Sequence, residues 1–598
     1  MKRLSITLLL LIAFSVNVRA QIYQPDFSVG GLYYRILMSD QVELVPNPDG
    51  CTYYSGNIVV PDSVQYNGTT YKVTSIGNYA FNSANLSSLT LPQGIRSLGE
   101  YSFYYSKLRG ELKLPDSLRT IGQSAFFGNN LLETIYIPSL VDSIGFRAFS
   151  FMQGLKDIVV YSSNTHYCSY DGVLYSKDTT MLLCCPSGKT GESFVIPNGV
   201  RYISDLSVEY CGFTSIEIPN TVSTIKNAAF SQCERLVSLH IPSSVTYIEG
   251  GIFRGCKMLT NLTIDSLNIR YKIVDGAIYS MNMDTILSHH LAIDTVVIPQ
   301  SVRIIGMEAF SITERLKSVV MSNGVEHIYE GAFYASGLRS INLSETLKSI
   351  GESCFESCEN LQSIEIPNSV TYLGASAFSS SGLVSVVMSD SVKIIPTRAF
   401  EYCLSLSSYS GGQSVERINS LAFLLCMSFP DSITFPETLK VIEGWAFERA
   451  GIKNAEFLAV VDTIGQSNFS DLRKLILQNH IPPFTYNTPI CNNNLQVTIP
   501  CGATSAYMSD PNWSSYSYTE DCDAIEDIDT QSAVQVVAQH KAVDVYNAEN
   551  YSVAIYDLMG RCHTAEPATG QSLRHYTLPS SGVYIVRVNG KGYKVVVR

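Results

Sequence analysis

Catalysis and metal binding need side chains of the right kind held close together, and this sequence offers few candidates. His289-His290 is its one histidine pair, with Asp284 and Asp294 close by along the chain. A metal centre needs three or four converging ligands. The corresponding stretch of a sister segment, Cys184-Cys185-Pro186, carries a different set, so His289-His290 reads as a solvated turn. Cys354 and Cys358 have the i, i+4 spacing of a helical metal pair, but both occupy packing positions of the repeat described below. The acidic run Glu520, Asp521, Asp523, Glu526, Asp527, Asp529 offers oxygen ligands, yet lacks the Gly and closing Glu of a calcium-binding loop. It reads as a flexible acidic linker. No strand, Gly-rich loop and helix follow one another, so no phosphate cradle is expected. The sequence predicts no catalytic residue, no metal site and no cofactor.

Composition narrows the class further. Of 598 residues, 45% are hydrophobic and 16% charged, which excludes disorder as the overall description. The net charge is −12 with no basic cluster, so phosphate backbones are repelled and nucleic-acid binding is excluded. Tyr is abundant (36) and Trp scarce (2), which suits an extended β-rich surface. Lys2 and Arg3 precede the apolar run Leu4 to Val16, and the segment closes on Val18-Arg19-Ala20. Residues 1–20 therefore read as a signal peptide cleaved after Ala20. As a helix the apolar run rises only about 20 Å, short of the ~30 Å a bilayer core requires. No later stretch reads as a transmembrane segment, and Gln21 is not the Cys of a lipid anchor. Export is expected.

The elements that must position any site come from an internal period. Phe recurs at Phe81, Phe103, Phe126 and Phe149, at Phe230 and Phe253, and again from Phe310 through Phe333, Phe355, Phe378, Phe400, Phe423 and Phe447 to Phe469. Within each run the spacing is 22, 23 or 24 residues. Ala stands before most of these rings, and Ile-Gly often stands four and five residues earlier, as in Ile121-Gly122 and Ile350-Gly351. About ten residues downstream comes a short alternating strand ending in Pro, such as Ile135-Tyr136-Ile137-Pro138 or Ile364-Glu365-Ile366-Pro367. A unit this small cannot bury its own apolar face, so neighbours must stack on a shared core. Alternation sends the two Ile inward and the residue between them outward. Pro stops the strand, Gly permits the bend, and the Ala-Phe pair is expected inside on one short helical turn. The rings would form one continuous buried spine.

Two gaps in the Phe series carry a shared phrase, Asp171-Gly172-Val173-Leu174-Tyr175-Ser176 and Asp275-Gly276-Ala277-Ile278-Tyr279-Ser280. Asp-Gly between extended residues reads as a hairpin turn, so these are inserted hairpin coils of the same array, with Val208 at the Phe place where the series resumes. Of 15 Cys, Cys211, Cys233, Cys256, Cys358, Cys403 and Cys426 fall three residues after that place, where other coils put Asn129, Ser106 or Ala84. Such a slot is small and buried, and a thiol fills it as a compact apolar group with a weak donor. Cys354 sits at the Ala slot. Cys51, Cys168, Cys184, Cys185, Cys491, Cys501, Cys522 and Cys562 remain, with Cys168 to Cys184 or Cys185, and Cys491 to Cys501 or Cys522, as possible bridges.

The pattern Leu-x-x-Ile-x-Ile-Pro-x-x-Val-x-x-Ile-Gly-x-x-Ala-Phe-x-x-Cys resembles the BspA-like (Treponema-type) leucine-rich repeat, over roughly residues 70 to 480. The resemblance implies a mainly β solenoid with short helices, of about sixteen coils of 22–24 residues. The opening, with Gly30-Gly31-Leu32-Tyr33-Tyr34, is similar to the β cap preceding such arrays. Beyond Phe469, Leu495 to Gly502 and Trp513 look like a closing segment. At the chain end, Tyr556-Asp557-Leu558-Met559-Gly560-Arg561, Leu578-Pro579-Ser580-Ser581-Gly582-Val583-Tyr584 and the Lys594 strand resemble the C-terminal sorting domain of the type IX secretion system, a small antiparallel β-sandwich. The expected organisation is a signal peptide at 1–20, a β cap at 21–70, and a solenoid at 71–480 with hairpin coils near 162–190 and 265–292. A closing segment at 481–522, an acidic linker at 523–532 and the sorting domain at 533–598 complete it.

What a solenoid offers is a long regular surface. The outward middle position of successive strands reads Thr90, Lys113, Tyr136, Val159, Glu217, His240, Thr263, Val297, Val320, Asn342, Glu365 and Val387, a mixed row that forms the candidate binding strip. By resemblance the protein is a non-enzymatic protein of the outer-membrane surface or exterior. It would adhere to host extracellular proteins, glycans or other bacterial cells and engage the type IX secretion machinery through its tail. The alternative is a glycan- or peptide-processing hydrolase, or an accessory protein, with a site in the inserted coils.

Overall fold

The computed structural model describes residues 24–522 except 39, 49–52, 290–292, 486–489 and 491–494. It also describes residues 535–597 except 540–541, 547–551, 558–560, 568, 570–572, 581 and 589–590. The signal peptide, Cys51, Cys491, His290 and the acidic linker at 523–532 lie outside the described residues. The chain divides into two units, Met1–Thr519 and Glu520–Arg598.

The first unit is a parallel β-solenoid of about 19 turns, more than the sixteen expected. The difference arises at both ends. In the segment expected as a cap, Phe27–Val29, Leu32–Met38 and Gln41–Val45 form an antiparallel meander, but Gln41–Val45 already pairs in parallel with Thr69–Ile76. At the far end Lys474–Ile476 pairs in parallel with Gln496–Pro500, so stacking continues into the closing segment.

Each coil carries two strands. A two-residue strand such as Thr120–Ile121 pairs in parallel with Ser97–Leu98 before it and Ser143–Ile144 after it, burying the Ile. A longer strand such as Leu131–Ile137 pairs with Arg109–Lys113 and Asp157–Val160, and its Leu132, Ile135 and Ile137 are fully buried. Glycine four residues before the ring has a reason the sequence concealed. A Cβ on Gly122 would meet the backbone carbon of Gly99 at 2.5 Å, and one on Gly374 the amide nitrogen of Glu352 at 2.3 Å. Coils approach too closely there for any side chain.

The expected helical turn at the Ala-Phe pair is absent, and among the described residues the helix is Thr504–Ser509. Around Phe355, Ser353 and Ser357 are left-handed, with φ of 49° and 58°. The amides of Ser353, Phe355 and Ser357 donate to Ala375, Ala377 and Ser379 of the next coil, while those of Glu356 and Cys358 donate back to Ser353 and Phe355. The alternation sends every second N–H across to the neighbour, where a helix would keep all of them local. This satisfies both the coil and the stack.

The rings do stack. Phe81, Phe103 and Phe126 lie 5.2 and 5.3 Å apart, and the run from Phe310 to Phe469 has near-parallel neighbours 4.9–5.6 Å apart. The spine is not continuous, however. The buried apolar residues fall into three groups that divide at Val173/Leu174 and at Ala277/Ile278, inside the two inserts. The second unit, Glu520–Arg598, holds antiparallel sheets of three and four strands around Val543, Ile555, Tyr584, Val586 and Val595.

Candidate binding face

The longer strands bring the outward residues into lateral register. Tyr136 faces Lys113 on one side and Val159 on the other, and Glu217, His240 and Thr263 follow one another on adjacent strands. Val297, Val320 and Asn342 form a third series, and Glu365 pairs with Val387. Glu217, His240, Val297, Val320, Asn342, Glu365 and Val387 are exposed, whereas Tyr136 and Val159 are half-buried. Tyr136 donates to Glu111 at 3.2 Å, and the Lys113 ammonium lies 5.5 Å from its ring. Desolvation and the nearby Glu111 carboxylate raise the Tyr136 phenol above its ordinary pKa. His240 Nδ1 lies 2.9 Å from the Thr263 hydroxyl, and with Glu217 they line one shallow depression.

Members at both ends and between the segments escaped the sequence reading, two of them exposed valines. Val59, 67% exposed, pairs with Thr90, and Val195, 59% exposed, pairs with Glu217. The signal was present in Ile58-Val59-Val60-Pro61 and Phe194-Val195-Ile196-Pro197, which share the strand-Pro phrase but lie outside the regular Phe count. The face is also segmented. Asp157–Val160 and Thr190–Val195 belong to different sheets, as do Asn261–Ile264 and Thr295–Val297, with an inserted hairpin between the members of each pair.

The inserts are twins built on the same contacts. Tyr167–Tyr170 pairs antiparallel with Val173–Ser176, and Tyr271–Val274 with Ala277–Ser280. Asp171-Gly172 and Asp275-Gly276 turn at φ between 46° and 75°, the left-handed pair a tight hairpin needs. Asn164 donates to Pro138 and Val141 carbonyls, and Asn268 to those of Pro242 and Val245. The Tyr167 and Tyr271 phenols accept from the Ile144 and Ile248 amides, bridging the break between sheets with a side chain.

His289 corrects the expectation of a solvated turn. It is buried, ends the strand Thr285–His289, and stacks on Phe310 at 5.3 Å. Its amide donates to the Ala309 carbonyl just as that of Phe310 donates to Ala332, and the Cys185 amide donates likewise to Ser207. The ring place is thus held by Cys185 in one insert and His289 in the other, which is why the phenylalanine stack breaks there. Asp284 bonds Ser280, Asn282 and Thr285, and Asp294 pairs with Lys317, so these groups do not converge as metal ligands.

The cysteine slot has a shared task. Cys358, Cys403 and Cys426 each donate to the carbonyl of the ring residue one coil back, at 3.1 Å, and Asn129 and Ser106 do the same. Burial pushes the thiols up, Cys358 to about 11 and Cys256 and Cys403 to about 12, the opposite of an activated nucleophile. Cys168, Cys184 and Cys185 are free thiols, so neither of the possible bridges from Cys168 is made, while Cys501 and Cys522 are each disulfide-bonded. Cys354 is buried beside Cys358 in the core, as the packing reading required.

On the turn side, coils flanking each insert meet directly. The Phe151 amide donates to the buried Glu209 carboxylate at 3.1 Å, and Phe151 packs edge-on against Tyr210 at 4.9 Å. At the second insert Arg254 pairs with Glu308 at 2.6 Å, and Asn227 donates to the same carboxylate. Burial raises both carboxyls. These contacts close the stack where the insert contributes no turn.

A parallel two-strand coil repeated on a stacked aromatic core defines a leucine-rich repeat solenoid. The chain belongs to the BspA type leucine rich repeat family, whose model matches residues 63–171, 187–290, 285–407 and 393–505 in six copies. Residues 523–597 match a domain of unknown function, DUF6383. Among solved structures, the chain is similar to a leucine rich cell surface protein from Faecalibacterium prausnitzii, at 22% identity over 64% of this chain and 94% of that one, with a TM-score of 0.37. It is also similar to a leucine-rich repeat protein from Bacteroides ovatus, at 21% identity over 83% and 100%, TM-score 0.27. The pneumococcal vaccine antigen PcpA aligns at 15% identity over 83% and 98%, TM-score 0.29. No curated protein matches.

Proposed function

We propose that this is an exported, non-enzymatic surface protein whose outward strand row adheres to a host extracellular protein, a glycan or another bacterial cell. The observation that carries the reading is the register itself. Exposed Val195, Val297, Val320 and Val387 share one outward row with Glu217, His240, Asn342 and Glu365, and within each sheet segment neighbours sit at the lateral spacing of paired strands, about 4.8 Å. A mixed apolar and polar row of that kind suits protein contact more than small-molecule turnover. Export rests on Lys2, Arg3 and the apolar run ending before Ala20, which address the chain to an inner-membrane crossing. The antiparallel two-sheet unit at the chain end, with its Tyr556-Asp557-Leu558 and Leu578-Pro579 phrases, supports passage by the type IX secretion machinery to the outer surface. Asn164, Asp178, Asn268 and Asp284 of the inserts are engaged in local structural bonds, and no observation favours the hydrolase.

The test is capture from host matrix or mucus on the immobilised mature chain, with Val297→Asp/Val320→Asp as the comparison. Saturable retention that the double variant loses supports adhesion through this row. Retention that the variant leaves unchanged moves binding elsewhere, and turnover of added polysaccharide or peptide ends the non-enzymatic reading.

A further inference from the structure

One coil departs from the rule that two inward apolar residues flank the outward one. In the pairing of Ser385–Met388 with Ser408–Gly411, Val386 faces Tyr409, Val387 faces Ser410, and the buried Met388 faces Gly411. Where neighbouring coils place a second large apolar side chain, this coil places none. Gly411 and the following Gly412 are left-handed, with φ of 82° and 73°. A Cβ on Gly411 would lie 2.1 Å from the Met388 carbonyl oxygen, so the backbone of the preceding coil closes the position to larger residues.

The missing side chain leaves a cleft of about 290 Å³, at the small end of the ~300–1,000 Å³ usual for ligand pockets. Its depth is aromatic, with Phe423, Phe429, Phe435 and Phe447 all buried. Ser410, Gln413, Ser432 and Thr434 supply its polar atoms, and no charged residue lines it. Tyr409 adds a phenol to the lining, and burial raises its pKa above the ordinary value.

The sheet also breaks here. Among the described residues Ser408–Gly411 pairs only with Ser385–Met388, and Ser432–Phe435 only with Asn454–Phe457. Within a sheet such strands join directly, as where the Ile366 amide donates to Val387 at 2.9 Å, but among the described residues no such bond joins Gly411 to Thr434. The strands part likewise between Ser340–Asn342 and Ser363–Glu365, there, among the described residues, without a glycine-lined cleft. Pro430, just before the second strand, has no N–H to offer. Two strand edges therefore border one aromatic cavity, and backbone groups at such edges call for partners.

We propose that the cleft between Ser408–Gly411 and Ser432–Phe435 docks an extended, uncharged peptide segment of a partner protein. Its backbone pairs with the strand edges, and one aromatic side chain enters the space left at Gly411. The neutral lining matches a segment without charge. The unpaired edges match a peptide backbone, and the phenylalanines, buried in the depth, present no open platform for a sugar ring. The inference deepens the adhesion reading by naming a protein partner, and its test uses short peptides, so its failure leaves the matrix-capture result standing.

The full mature chain is titrated with acetyl-Thr-Phe-Thr-amide by calorimetry and by saturation-transfer NMR. Acetyl-Thr-Ala-Thr-amide, the N-methyl-Phe peptide and methyl glucoside serve as comparisons. Saturable binding of the Phe peptide, weakened about tenfold by N-methylation because a backbone bond is lost, supports the slot. The exposed Thr434→Trp variant is expected to abolish that binding by covering the mouth, and Tyr409→Phe to weaken it several-fold while the chain stays folded by circular dichroism. No binding at millimolar peptide, binding indifferent to Thr434→Trp, or preference for methyl glucoside overturns it.

Discussion

His289 lies stacked on Phe310 with ring centroids 5.3 Å apart, in the place that neighbouring coils give to phenylalanine. A polar ring is tolerated there because the insert must still present a flat face to the next coil. His289→Ala is expected to cost at least about 2 kcal/mol in urea unfolding, as a buried ring gives way to a cavity. His289→Phe is expected to cost far less, and an equal loss in both variants would show that the ring face is not what matters.

Phe355 tests the uninterrupted part of the stack. It is fully buried between Phe333 and Phe378, each 5.3 Å away. Phe355→Ala is expected to destabilise by about 3–5 kcal/mol, read from the denaturant midpoint. Because each coil contacts only its neighbours, hydrogen exchange should rise most in residues 333–378 and least near the chain ends.

Glu401 supplies a pH test with a definite sign. Burial raises its carboxyl from 4.5 to about 7, only partly offset by Arg398 at 3.6 Å, with Glu356 adding to the rise. The folded state therefore holds a proton that the unfolded state has lost between about pH 4.5 and 7, and stability falls as pH rises through that window. Glu401→Gln should match the parent at pH 4 and exceed its melting temperature at pH 8. A constant difference across that range would assign the effect to packing.

The thiols separate by exposure. Among the described free cysteines Cys562 is exposed, Cys168 and Cys184 are half-buried, and the remaining eight are buried. Alkylation of the native chain followed by peptide mass mapping should label Cys562 first and leave Cys358, Cys403 and Cys426 untouched until denaturant is added. Rapid labelling of those three would contradict a donor slot sealed inside the coil.

Sequence period alone was enough to recover the coil, its inward and outward positions, the small slot after each ring and most of the outward row. These are matters of local register, which a chain of near-identical units repeats openly. Tertiary structure decided the rest. Left-handed residues replaced the expected helical turn because stacking demands a hydrogen bond across coils at every second residue. Lateral contact put His289 and Cys185 in the ring place and Gly122 where only a hydrogen fits, and it parted the sheet at Gly411. Each of these depends on how closely one coil meets the next, a distance that no residue encodes by itself.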